Sequence, residues 1–390
     1  MGTFGSVPIR RVAVAALAAL AMGCLGGGCS NRPPLQPSCA ADRAAAAAQL
    51  DAISRAEQAA IARRVPVYRD PALESRLGSI LEKLLRPLNQ RPDAFRIVLL
   101  SDPQPDAYSY PDGTIYLHTG LLACLENEAE LALLLAHELM HVIRKHALQA
   151  YQAFAAEARL GSPPTETAAG FGLSGWLSAS MTAYRRMSQR RAFEEEADRM
   201  GLDLVMRAQY DPYEALKIFD NVTHDDLAVL SAERRDALRT CAAEQRQSFI
   251  GQTAPPDGFR SDLQSLLLHQ AQSDARLGRW PNALKSARRY LRDFPDRAQG
   301  HYLLAEILRQ RQAPGDREQA LIHYREVIRL NPRCPKSHKA AGLLHLKQGR
   351  LDLARAYFEK SLELSPINAD AAYLANYLAT LPITPKGDFQ

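Results

Sequence analysis

The string Ala136-His137-Glu138-Leu139-Met140-His141 lies inside Glu130 to Ile143, an apolar run that contains neither Gly nor Pro. A run of that length and composition reads as a buried helix. Residues four apart on a helix share one face, so His137 and His141 stack and can grip a single metal ion. Glu138, roughly 100° further round, can reach a water beside that ion. Two imidazoles and a carboxylate are costly to bury in a Leu/Ala-rich segment unless something satisfies them. A metal would do so, and the H-E-x-x-H spacing is that of a zinc hydrolase.

A zinc site of this kind takes three protein ligands and keeps one position open. The third is expected in the segment Arg191 to Leu204, which includes Phe193-Glu194-Glu195-Glu196-Ala197-Asp198. Helical phase gathers Phe193, Ala197, Met200, Gly201 and Leu204 on one apolar stripe. Glu194 lies beside that stripe with Asp198 one turn later, whereas Glu195 points away. Glu194 is therefore the expected third ligand. Asp198 is the expected acceptor for the second nitrogen of a ligand imidazole, holding its tautomer. The competing reading is a solvated acidic face capped by the neighbouring arginines; helix phase, not charge, singles out these two residues.

H-E-x-x-H followed by E-x-x-x-D in Glu194-Glu195-Glu196-Ala197-Asp198-Arg199-Met200-Gly201 resembles the gluzincin metallopeptidases of the HtpX and CAAX-prenyl-protease clan. Pro111 to Leu122, Glu126 to Ala132 and Tyr210 to Ala215 carry the same resemblance. With the C-terminal repeats described below, it spans most of residues 65 to 380, and it is similar to the periplasmic lipoproteins of that clan. It implies an α+β metallopeptidase domain that is mainly α with a small β-sheet, one Zn2+ per chain, and protein substrates. The chain departs from the clan at Asp106-Ala107-Tyr108, where relatives carry Asn-Ala-Phe. It departs again at Thr223-His224-Asp225, the counterpart of a Thr/Ser-His-Pro motif. His224 and His118 are candidates for a further donor at the site.

The N-terminus points to a compartment. A short basic stretch ending Arg10-Arg11 precedes the apolar run Val12 to Met22, too short for a transmembrane span and shaped like a secretory signal. Small residues precede cysteine twice, at Cys24 and at Cys29, which resembles a bacterial lipobox. Lipidation is expected at Cys29 or Cys24, giving a signal peptide over 1–28 and a tether with an N-terminal helix over 29–64. No Asp stands at the second position after either cysteine. By the lipoprotein sorting pattern this favours the outer membrane of a Gram-negative bacterium, with the protein in the periplasm. The formal net charge of +5 is small and scattered, which argues against a nucleic-acid partner.

Residues 65–250 form the expected peptidase domain. An Ala-rich helix from Ala41 to Arg64 leads into it, a second helix runs from Pro71 to Leu85, and strands are expected over Phe95 to Leu100 and Thr114 to Leu117. In gluzincins the strand beside the active helix lies at the cleft edge, so Thr114, Ile115, Tyr116 and Leu117 are the expected substrate-binding edge strand. Gly161 to Trp176 reads as a long loop between the ligand helices and a candidate lid, with helical character resuming from Leu177.

Residues 262–381 read as an α-solenoid. Pro295, Pro332 and Pro366 each follow a helix, Ala283, Ala320 and Ala354 align on them, and Gly342, Ala354, Phe358 and Pro366 fit the 34-residue tetratricopeptide pattern. A capping helix is expected from Ala371 to Thr380. Cys39, Cys124, Cys241 and Cys334 either pair in an oxidising compartment or remain free thiols.

The constellation implies a zinc endopeptidase in which the metal acts as Lewis acid and Glu138 moves the proton. The resemblance implies misfolded or stalled envelope proteins as clients, with the repeats recruiting them or the outer-membrane barrel assembly machinery. The second expectation is a lipid-anchored chaperone or scaffold whose protease is latent.

Overall fold

The computed structural model describes residues 40–160, 191–222, 232–245, 257–367 and 371–380. Cys24, Cys29, His224 and the Gly161 to Trp176 segment lie outside these residues. Among the described residues no helix is long and apolar enough to cross a membrane.

The peptidase part opens with helix α1 (Ala40–Arg64) and helix α2 (Pro71–Leu85). Ala-rich composition favours helix in α1 without supplying an apolar face. Leu50 packs on Ala147, Leu148 and Tyr151, and Ile61 with Val65 packs on Leu100, Tyr108, Tyr110 and Tyr116. The start of α2 is set by Asp70, whose side chain accepts from the Ala72 and Leu73 amides, with Pro71 in the first turn. Leu73, Leu77, Ile80, Leu81 and Leu84 then recur at helical spacing and enter the core.

Three short strands follow: β1 (Arg96–Leu100), β2 (Ala107–Ser109) and β3 (Thr114–His118). Their order is β1-β3-β2, with β1 parallel and β2 antiparallel to β3. The β2–β3 turn depends on Gly113 (φ 84°), where a Cβ would come within 2.2 Å of the Ala94 carbonyl oxygen. This topology corrects the expectation for Thr114, Ile115, Tyr116 and Leu117. They form the central strand, every residue of it buried and both edges occupied, so an extended substrate cannot add there. Sequence registers this strand and β1 but not β2, which is too short to signal itself.

Helix α3 (Thr119–Leu122) leads to helix α4 (Glu128–Ile143). Asn127 caps α4 by accepting from the Glu130 amide. Glu130 reciprocates: its buried carboxyl accepts from the Glu126 amide at 3.0 Å and from Asn221 at 2.9 Å. Burial lifts that carboxyl to about 7 despite these bonds. Helix α5 (His146–Leu160) follows after Lys145 in the left-handed region (φ 55°), then helix α6 (Arg191–Arg207), α7 (Pro212–Leu216), α8 (Ile218–Asn221), α9 (Ala232–Gln245) and α10 (Asp257–Asp262). Where α6 crosses α4, a Cβ on Gly201 would sit 3.1 Å from the His137 amide nitrogen. The small residue permits the close approach that brings the two motif helices together.

Six helices in three antiparallel pairs form the repeats: α11 (Gln264–Arg276) with α12 (Trp280–Asp293), α13 (Ala298–Arg311) with α14 (Asp316–Leu330), and α15 (Pro335–Lys347) with α16 (Leu351–Leu364), capped by α17 (Ala371–Thr380). Gly342 lets α16 approach, since a Cβ there would meet the Phe358 ring at 2.5 Å. The first pair belongs to the peptidase core: Leu266, Leu267 and Tyr290 join it, as does Leu263 just before α11. Buried Arg289 donates to the carbonyls of Ala123 and Leu125, and Gln270 donates to the Pro103 carbonyl at 3.1 Å. Arg76 links α2 to Asp262 at 2.7 Å and to Glu128 at 2.9 Å. Cys39 lies outside the described residues, and among these no disulfide joins Cys124, Cys241 and Cys334.

His345 in α15 is fully buried and stacked on Tyr357, and neither ring nitrogen has a hydrogen-bond partner among the described residues. Burial, with Arg325 and Arg350 nearby, holds its pKa below the ordinary value. The unfolded chain therefore takes up the proton first, at about 6.5, and stability is lost as pH falls through that value. His345→Phe should raise stability at neutral pH by about 1 kcal/mol by removing an unsatisfied buried group. It should also flatten the loss between about pH 7 and 5, read by denaturant unfolding at several pH values.

Candidate metal centre

Each helix brings one half of the constellation. His137 and His141 occupy successive turns of α4, and their Nε2 atoms face each other at 3.0 Å. From α6, Glu194 places Oε2 at 3.6 Å from His137 Nε2 and Oε1 at 3.5 Å from His141 Nε2. Among the described residues these three form the one group of His, Cys, Asp or Glu able to hold a metal ion, all donor atoms lying within 4.8 Å of one another. Asp198, one turn beyond Glu194, accepts from His137 Nδ1 at 2.9 Å. Glu138 is buried beside them, and Ser109 of β2 donates to its backbone carbonyl at 3.2 Å.

The electrostatics explain what this cluster seeks. Glu138, Glu194 and Asp198 are all buried, and one guanidinium, Arg234 of α9, answers them with Nε at 2.7 Å from Asp198 and Nη2 at 3.2 Å from Glu194. Burial pushes the Glu138 carboxyl up to about 7 and also raises Glu194. Burial alone would lower His137, but the hydrogen bond and charge of Asp198, together with Glu194 and Glu138, outweigh it and lift the imidazole to about 9. Burial, with His137 and His146 nearby, drives His141 down to about 2, so it stays neutral. The negative excess thus draws a proton onto His137, a place that a divalent cation fills better. Two imidazoles and one carboxylate are a zinc donor set, and they fit that ion.

The group opens into a cavity of ≈ 760 Å³. Its walls come from β2 and the turn after it (Asp106 to Gly113), from Leu133 and Leu134 of α4, and from Ile218, Phe219 and Leu238. Ala47, Leu50, Asp51 and Glu57 of α1 line it as well. His118 does not line this cavity; its Nδ1 lies 3.2 Å from the Gln104 carbonyl oxygen and its ring meets Tyr108 edge-on. Sequence reading missed Arg234, since Glu233-Arg234-Arg235-Asp236 looks like a surface charge run.

Comparison with known proteins agrees with this geometry. The model of Peptidase family M48 matches residues 71–266, which contain both motif helices and Arg234. The chain belongs to peptidase family M48. A tetratricopeptide repeat model matches residues 268–316 and 315–369. The beta-barrel assembly-enhancing protease of Yersinia pestis is 30% identical over 160 residues, 38% of this chain and 32% of that protein. Its counterpart in Escherichia coli K12 is 28% identical over the same length and shares. The mitochondrial metalloendopeptidase OMA1 of Saccharomyces cerevisiae is 24% identical over 159 residues, 40% of this chain and 42% of that protein. The chain therefore spans about a third of the length of the bacterial relatives it matches. α1 precedes the stretch matched by the M48 model.

Arg234→Met should leave Glu194 and Asp198 buried without their cation and destabilise the metal-free protein by about 3–5 kcal/mol, measured by denaturant unfolding. Added zinc should recover part of that loss by supplying the missing positive charge.

Proposed function

We propose that this M48 member is a zinc endopeptidase that hydrolyses peptide bonds of misfolded or stalled proteins in the bacterial envelope. The observation that carries the reading is the meeting of His137, His141 and Glu194 around one point, with the buried Glu138 carboxyl alongside. One zinc ion per chain, held by these three residues, would supply Lewis acidity to water and to the scissile carbonyl.

The chain's own residues do the rest. Glu138 is buried beside the three ligands, where its carboxylate can take a proton from water and return it to the leaving amine. Asp198 keeps His137 oriented through Nδ1, and Arg234 pairs with Glu194 and Asp198 and holds both in place. β2 is the edge strand that lines the cavity, so an extended polypeptide meets its backbone there and not at β3. The apolar lining from Leu133, Leu134, Ile218 and Phe219 suits the side chains that unfolded proteins expose.

The names of the bacterial relatives and the repeats support protein clients and an assembly-related setting, with the repeats recruiting clients or the barrel assembly machinery. A periplasmic site with lipidation at Cys29 or Cys24 fits this role. A second reading, a chaperone or scaffold with latent protease activity, is favoured by α1, whose Leu50, Asp51 and Glu57 line the cavity that holds the site.

Glu138→Gln should retain stoichiometric zinc while cleavage of an unfolded protein falls ~10²- to 10⁴-fold; equal cleavage by both forms would refute the role of Glu138. Leu50→Asp should release the end of α1 that packs on Ala147, Leu148 and Tyr151. If α1 keeps the enzyme latent, this variant cleaves unfolded protein several times faster at unchanged zinc content, and an unchanged rate would remove the support for latency.

A further inference from the structure

The H-E-x-x-H pattern stops at His141, but the next helix begins with a third imidazole. His146 is fully buried. Its ring stacks on Phe193 (4.7 Å between centroids, 19° between planes) and meets His141 edge-on (5.0 Å, 84°). Its Nδ1 lies 3.1 Å from His141 Nδ1, and its Nε2 lies 3.2 Å from Glu196 Oε2. Glu196 Oε1 accepts from Arg144 Nε at 2.7 Å.

One constraint sets the tautomers along this row. His141 Nε2 faces His137 Nε2 at 3.0 Å and Glu194 Oε1 at 3.5 Å, so as a ligand it must present Nε2 with a free lone pair. A neutral imidazole then carries its proton on Nδ1. The acceptor within reach is His146 Nδ1, so His146 carries its own proton on Nε2 and donates it to Glu196. Each bond has one donor and one acceptor, and the row has a single direction. His137 rests directly on a carboxylate, Asp198, at 2.9 Å. His141 reaches its carboxylate, Glu196, through a second imidazole.

We infer that His146 is a positioning residue of the metal centre: it accepts the His141 Nδ1 proton and, held by Glu196, keeps His141 in the ligating tautomer and orientation. The inference rests on the reading of His137, His141 and Glu194 as the zinc site. Packing on Phe193 alone requires only a flat ring, whereas this role requires an acceptor at Nδ1.

The test compares the full chain with His146→Phe, which keeps a flat ring and removes the acceptor, and His146→Asn, which carries an oxygen near the place of Nδ1. Zinc affinity is measured by chelator competition, ligand geometry by the visible spectrum of the cobalt(II)-loaded protein, and folding by melting of the metal-free protein. His146→Phe should bind zinc about 10- to 100-fold more weakly and shift the cobalt spectrum, with metal-free melting retained. His146→Asn should regain most of the affinity. Parental affinity and an unshifted cobalt spectrum in His146→Phe would overturn the proposal. Equal loss in both variants together with lost metal-free stability would also overturn it, leaving a packing role. A parent chain that binds no zinc would refute the metal centre itself, a failure distinguishable because it precedes any substitution.

Discussion

The structure depends on the close crossing of α4 and α6, where helix backbones approach at Gly201 and three carboxylates are buried against two imidazoles and one guanidinium. Charges in so poorly hydrated a place are costly unless paired, and removing one partner of such a set usually costs several kcal/mol. The cluster is therefore a strained balance within the free protein and a prepared site for a cation. The same burial that makes the carboxylates expensive also raises Glu138 toward neutrality, where a general base is most useful.

That crossing is fixed from both ends of α4. Its C-terminal half carries His137, Glu138 and His141, while its N-terminal end is tied through Glu128 to Arg76 and, just upstream, through the Ala123 and Leu125 carbonyls to Arg289 of the first repeat. At 1.5 Å per residue, the 16 residues of α4 separate those two ends by about 24 Å. The first repeat shares the peptidase core through Leu266, Leu267 and Tyr290.

Legibility followed physical periodicity. The ligand helices, the ordering of Glu194 and Asp198 along α6, and the repeat spacing all express a 3.6-residue or 34-residue period that a single sequence displays. What it does not display is pairing between distant segments. β2 has three residues and no pattern of its own, so the central place of Thr114 to Leu117 was hidden. Arg234 sits in a charged stretch that reads as surface, and only the fold reveals that two buried carboxylates from another helix surround it. His146 falls beyond the recognised spacing, and its importance depends on a left-handed Lys145 that turns α5 back toward His141. His118 was visible as a histidine near the motif, yet its strand position directs it to the Gln104 carbonyl.

The central claim is that two imidazoles of α4 and one carboxylate of α6 hold a single zinc ion. Anomalous diffraction at the zinc edge, on crystals of the purified full chain, tests it most directly. The account predicts one peak per chain, about 2.0–2.2 Å from His137 Nε2, His141 Nε2 and a Glu194 carboxylate oxygen. A peak lying elsewhere, or none at this position in zinc-saturated crystals, would contradict it.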